Sequence, residues 1–144
     1  MPKRRIVVLG WAWLPFQHME GTGYNLVASE LCAALASRGH EVTYLRSGHT
    51  YSLRRSMRIE RGEVWRGVPC HDLINAPIVA PAHFGFRAPG VQCSHTEHTA
   101  MVVAFVKRAS AEIVHIHSLE GFALEVVAAL RAASIAVVVT PHNY

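Results

Sequence analysis

Histidine and glycine carry the chemistry that this sequence offers. His115 and His117 stand two apart at the end of the run Glu112-Ile113-Val114-His115-Ile116-His117, so on a strand both imidazoles leave the same face. His117 closes the run and is expected to reach a cleft, while His115 packs beneath it as a core histidine. His142 follows another β-branched run, in Thr140-Pro141-His142-Asn143, and His18 lies in a long polar-aromatic loop that ends at Gly21-Thr22-Gly23. A neutral imidazole can hydrogen-bond a ligand hydroxyl or move a proton near neutral pH. Glycines at the start of a helix let backbone N–H groups approach an anion. Read alone, the glycine turn is equally a flexible lead-in to a helix, and His18 an exposed loop residue.

Other chemistries fit less well. A zinc centre would draw on His115 and His117 with His142 or His18, but no Asp or Cys stands at ligand spacing. G-x-G-x-x-G fails at Leu26, and neither a Walker A sequence nor G-x-S-x-G occurs. Cys70-His71 is the one cysteine beside a histidine, and it falls in mid-strand. Cys32, Cys70 and Cys93 are widely spaced with no C-x-x-C, as suits a reducing, cytoplasmic setting.

The elements that must position these residues are legible as alternating patterns. Arg5 to Gly10 reads as a buried strand. Lys3-Arg4-Arg5 before the apolar run to Phe16 imitates a signal peptide, but no small-x-small site follows it, and the segment reads as strand into loop. Val27, Leu31, Ala34 and Leu35 form a helical stripe closed by Arg38-Gly39, and Glu41 to Leu45 is the next strand. A hairpin is expected from Met57–Glu60 and Glu63–Trp65 around Arg61-Gly62, followed by a strand over Val68 to Ile74. Pro77, Pro81, Pro89, Gly85 and Gly90 mark Asn75 to Cys93 as a loop. From Ser94 or Thr96 a helix presents Met101, Val102, Phe105, Val106 and Ala109. A strand follows over Glu112 to His117, then a helix with Phe122, Val126, Ala129, Leu130 and Ala133. The last strand, Ile135 to Thr140, is expected to be buried on both faces. The alternation predicts an α/β fold: a doubly wound, mainly parallel sheet with helices on both faces, so that the strand ends gather along one rim.

The chain has 144 residues, 51% hydrophobic and 17% charged, which suits one folded domain and excludes a disordered or disulfide-stapled chain. No run of about 18 apolar residues is free of charge, so no membrane-spanning helix is expected. Lys and Arg outnumber Asp and Glu by four, and Arg54, Arg55, Arg58, Arg61 and Arg66 hold much of the excess. No aromatic-rich RNA motif accompanies them, so nucleic acid is not an expected partner. A solvated loop and hairpin is one reading of this cluster; peripheral contact with an anionic membrane surface is the other.

Five segments frame the whole chain: Arg5 to Gly10; Gly21-Thr22-Gly23 with the helix through Leu35; Ala36 to Thr43; Ala111 to Gly121; and Val137 to Tyr144. Their order and spacing resemble the N-terminal domain of the retaining GT-B glycosyltransferases of family 4, the glycogen-synthase-like and mannosyltransferase-like group. Residues 47–93 match poorly. The resemblance implies a Rossmann-like N-terminal half of a GT-B fold and transfer of a sugar from a nucleotide-diphosphate sugar to an acceptor. It implies that His117 is the active-site histidine contacting the donor sugar. Gly21, Thr22 and Gly23 would meet the donor phosphates or the acceptor, although the family usually has two adjacent glycines and Thr22 takes the first of those places. His142, with Asn143 beside it, would lie on the acceptor side, and His18 is expected to join the site. No metal and no other cofactor is implied. The nucleotide in this family sits mainly on a C-terminal domain, which residues 1–144 are expected to lack. The chain is therefore expected to transfer no sugar unless that domain is supplied in cis or in trans. A non-catalytic α/β module binding a small anion or a partner protein is the alternative; a metal-dependent hydrolase built on His115, His117 and His142 is a third.

Overall fold

The computed structural model describes residues 2–14, 23–80 and 89–141. In chain order the elements are β1 (Arg5–Gly10), α1 (Gly23–Ser37), β2 (Glu41–Ser47), β3 (Arg58–Trp65), β4 (Val68–Ile74), α2 (Pro89–Cys93), α3 (Thr96–Arg108), β5 (Ile113–Ile116), α4 (Glu125–Ala132) and β6 (Ala136–Val139). The strands form one six-stranded sheet in the order β3-β4-β2-β1-β5-β6. All neighbours are parallel except the edge strand β3, which runs antiparallel to β4. No helix among the described residues is long and apolar enough to cross a membrane.

Strand alternation divides the core between the two faces. Val7, Leu9, Leu45, Leu73, Val114 and Ile116 pack under α3 and α4 with Val102, Val106, Val126 and Leu130. Ile6, Val8, Val42, Tyr44 and Cys70 turn the other way, under Ala28 and Cys32 of α1. The helices end alike. After α1, Gly39 at φ 86° donates to Ala36 O and His40 donates to Leu35 O, the paired bonds of a Schellman stop. After α3 and α4 the same bonds form around Ser110 and Ser134, at φ 50° and 60°.

Four expectations need correction. Arg61-Gly62 is not a turn: β3 runs through it with only a register irregularity, and the hairpin turns at Arg66-Gly67, both at positive φ. Two left-handed residues in succession match the twist of the flanking strands, and the two Arg-Gly pairs are indistinguishable by composition. The stripe of α1 is offset. Its buried residues are Asn25, Ala28, Ser29 and Cys32, while Val27 is 49% exposed. Nearly every residue of this helix is small or apolar, so several stripes compete and the sheet selects the one with small side chains. The last strand is not buried on both faces: β6 is the sheet's edge, and Val138 is 47% exposed. The expected loop to Cys93 also contains the short helix α2.

Candidate functional site

From the central strand β1 the chain passes first to β2 on one side and later to β5 on the other. This is the topological switch point of an open α/β sheet, where the loops beyond the strands' carboxyl ends diverge and leave a crevice. His117 stands immediately past β5 at that point. Its backbone N–H donates to Leu9 O of β1 at 2.9 Å, so the main chain holds it against the end of the neighbouring strand. His117 is buried, at 3% relative exposure, and its ring lies 4.4 Å, centroid to centroid, from the ring of His115, at 31°. His115 is the less buried of the two. It shares a 2.8 Å hydrogen bond between Nε2 and Thr140 Oγ1, while Thr140 N donates to Ile116 O. Two imidazoles and a hydroxyl thus follow one another along the ends of β5 and β6, on the sheet face shared with α1.

The loop leaving β1 is shaped by close packing. A Cβ at Gly10 would run into the Tyr44 hydroxyl, which donates to Ala12 O at 2.7 Å. Ser29 Oγ donates to Leu14 O at 2.6 Å and ties α1 back to the loop's first half. Gly23 opens α1, and among the described residues no atom comes within 4 Å of where its Cβ would stand. Among the described residues, nothing packs against Gly23 as Tyr44 packs against Gly10. Space beside a helix N-terminus is what an anion-binding backbone needs.

Beneath the rim lie polar groups that sequence reasoning missed. The Arg46 guanidinium, at the end of β2, lies 3.5 Å from the Trp13 ring centroid and donates to Asp72 Oδ2 at 2.8 Å. Thr50 Oγ1 accepts from Arg46 at 2.6 Å and donates to the same carboxylate oxygen. This buried pair fastens β2 to β4. The signal was a charge of each sign inside otherwise apolar strands, which burial permits only when the charges are paired. Ser47 Oγ lies 3.3 Å from His98 Nε2 on α3. Burial, helped by nearby His95 and opposed by the Glu125 carboxylate, pushes the His98 imidazole down to about 4, so it is neutral at pH 7. Gly48 and Gly121, both at positive φ, pack backbone to backbone where the loops after β2 and β5 cross. Just before that crossing, Glu120 Oε2 is buried with no hydrogen-bond partner, and Glu120 N donates to Ser118 Oγ.

Of the residues expected in the site, His117 and Gly23 are placed at the carboxyl-end rim. His18, Gly21, Thr22, His142 and Asn143 lie outside the described residues. Among the described residues, no group of three or more His, Cys, Asp and Glu side chains could hold a metal ion.

The family model of the glycosyl transferase 4-like domain matches residues 22–144. Among solved structures, the catalytic domain of starch synthase IV from Arabidopsis thaliana, bound to ADP and acarbose, is similar in fold, with a TM-score of 0.59 and 14% identity. The match covers 99% of this chain and 34% of the synthase chain, so this chain spans about a third of that neighbour's length. No curated protein matches the chain.

Proposed function

This chain belongs to the glycosyl transferase 4-like domain family, and from that premise we propose that it is the acceptor-side half of a retaining glycosyltransferase. Its substrates are a nucleotide-diphosphate sugar and an acceptor hydroxyl. The observation that carries this reading is the position of His117, buried beside β1 at the switch point of the sheet. In the transfer the bond from the anomeric carbon to the diphosphate breaks, an oxocarbenium-like centre develops, and the acceptor oxygen bonds to that carbon while its proton passes to the departing diphosphate. His117 hydrogen-bonds a hydroxyl of the donor sugar and fixes the ring; its packing on His115, itself tied to Thr140, limits its rotation. Gly21, Thr22 and Gly23 are assigned to the departing phosphates or the acceptor, charges that backbone N–H groups stabilise. His142 is assigned to the acceptor side, and His18 and Asn143 to substrate binding. No residue is assigned to a metal, because basic and N–H groups meet the charge on the leaving group. ADP, bound by the starch synthase domain of like fold, is a leaving group of the kind this reaction releases.

The rest of the nucleotide site belongs to a second domain, in cis or in trans, so the chain alone transfers no sugar. The test is product formation from a panel of radiolabelled nucleotide sugars, with this chain alone and joined or mixed with that second domain. Transfer is expected only when both are present. His117→Ala and His117→Asn should lower it by roughly a hundredfold or more while the circular dichroism is unchanged. No transfer and no donor binding in either arm would leave the non-catalytic module as the reading.

A further inference from the structure

Between β2 and β3 the chain makes a loop that is held firmly yet presents apolar surface to water. Ser52 N donates to Asn75 Oδ1 at 2.7 Å, and Asn75 Nδ2 donates to Ser52 Oγ, Arg54 O and Ser56 O. Asn75 adopts φ 57°, and its own N–H donates to Thr50 O. From the other side Arg58 donates to Ser52 Oγ at 3.1 Å and to the carbonyls of Arg54 and Ser56, while its Nε is paired with Glu60 at 2.6 Å. Two side chains therefore clasp the backbone of residues 52–56. The tip they hold places Leu53 at 102% relative exposure, with Tyr51 at 53%. Arg54 and Arg55, beside Leu53 in the loop, are exposed. Residues 51–66 contain five arginines against two glutamates, so most of the chain's net charge of +4 sits on this loop and the strand after it.

We propose that this loop is a membrane-docking tip: Leu53 and Tyr51 enter the headgroup boundary of an anionic bilayer, and Arg54 and Arg55 take the lipid phosphates. An ordered loop that fixes a leucine wholly in water has no fold-internal reason for the leucine, whereas apolar and basic side chains at one tip suit an interface with an apolar interior and a negative surface. A specific protein partner would need about 800 Å² from each side, far more than a five-residue tip provides. A nucleic acid would want a groove or several stacking rings, and the tip offers one tyrosine. The loop leaves the carboxyl end of β2, the same edge as His117, so docking brings the rim of the sheet towards the bilayer. The proposal does not depend on sugar transfer, since vesicle binding needs no donor.

The experiment is co-sedimentation of the chain with vesicles of phosphatidylcholine alone and with about a third phosphatidylserine, at low and high salt. Binding is expected only to the anionic vesicles and should fall with salt. Leu53→Ser should weaken it roughly tenfold, and Arg54→Gln with Arg55→Gln roughly thirtyfold. All three positions are exposed, and thermal unfolding checks that the variants remain folded. No binding, equal binding to both vesicle types, or binding unaffected by the substitutions would overturn the proposal. So would retention on single-stranded RNA that these substitutions abolish while vesicle binding is absent, which would assign the tip to nucleic acid.

Discussion

Gly121 and Gly23 look alike in a sequence and do opposite things in the fold. A Cβ on Gly121 would land on the Ser47 carbonyl, and the residue sits at φ 79°, so neither rotamer change nor local relaxation accommodates a side chain. Gly121→Ala is expected to cost at least ~3 kcal/mol, from left-handed strain and the backbone clash together. Gly23→Ala meets nothing within 4 Å among the described residues and should change stability by less than ~1 kcal/mol. Urea unfolding of both variants gives the comparison. If Gly23→Ala keeps its stability but weakens donor or acceptor binding in the two-domain enzyme, the demand for glycine comes from the ligand. The place of His117 at the strand-end rim was legible because it closes an apolar run. His98 was not: between Glu97 and Thr99 it reads as helix surface, and only the packing of α3 against the end of β2 buries it.

At the level of elements, periodicity and punctuation identified most strands and helices but not which of two equal signals the sheet would use. Arg61-Gly62 and Arg66-Gly67 have the same composition, and the register of β3 on β4, with Trp65 opposite Val68, puts the turn at the second. Gly67→Ala, at φ 82° in that turn, should cost ~1–2 kcal/mol. Gly62→Ala places its Cβ at ordinary contact, 3.4 Å from Cys70 O, and should cost less than half as much. The same logic offers a stabilising change. Ser110 and Ser134 occupy the left-handed position after α3 and α4 that Gly39 fills after α1. Ser134→Gly is expected to raise stability by ~0.5–1 kcal/mol by removing that strain, measured as a higher urea midpoint with unchanged slope. The offset stripe of α1 and the exposure of β6 have a common cause. Hydrophobic runs report that a segment is apolar, and only the order β3-β4-β2-β1-β5-β6 decides which strand is central and which is the edge.

Over the whole molecule, the two apolar faces of the sheet make stability depend on keeping polar groups beneath the rim in one protonation state. His98 is held neutral, down to about 4, and burial also lowers His71. An imidazole depressed on folding takes its proton more readily in the unfolded chain. Its contribution is complete above the unfolded value near 6.5 and is lost as pH falls from there towards 4, with a slope of up to about 1.4 kcal/mol per pH unit for one proton. Glu125, lowered by hydrogen bonds from Ser94, Thr99 and the His95 backbone, and Glu112, lowered by those from the Arg5 backbone and Arg4, act in the same direction at lower pH. Their contributions persist above the ordinary carboxylate range and disappear as they are protonated below it. Acid unfolding should therefore begin well above the carboxylate range, in the window set by the histidines. His98→Gln can still hydrogen-bond Ser47 but cannot titrate. The expected result is a urea midpoint that falls steadily from pH 7 to 4.5 in the native chain and far less in the variant, with the two curves running parallel below pH 4. If both fall together from pH 7, the imidazole is not protected in the folded protein, and the coupling of α3 to the end of β2 through Ser47 is weaker than the 3.3 Å contact implies.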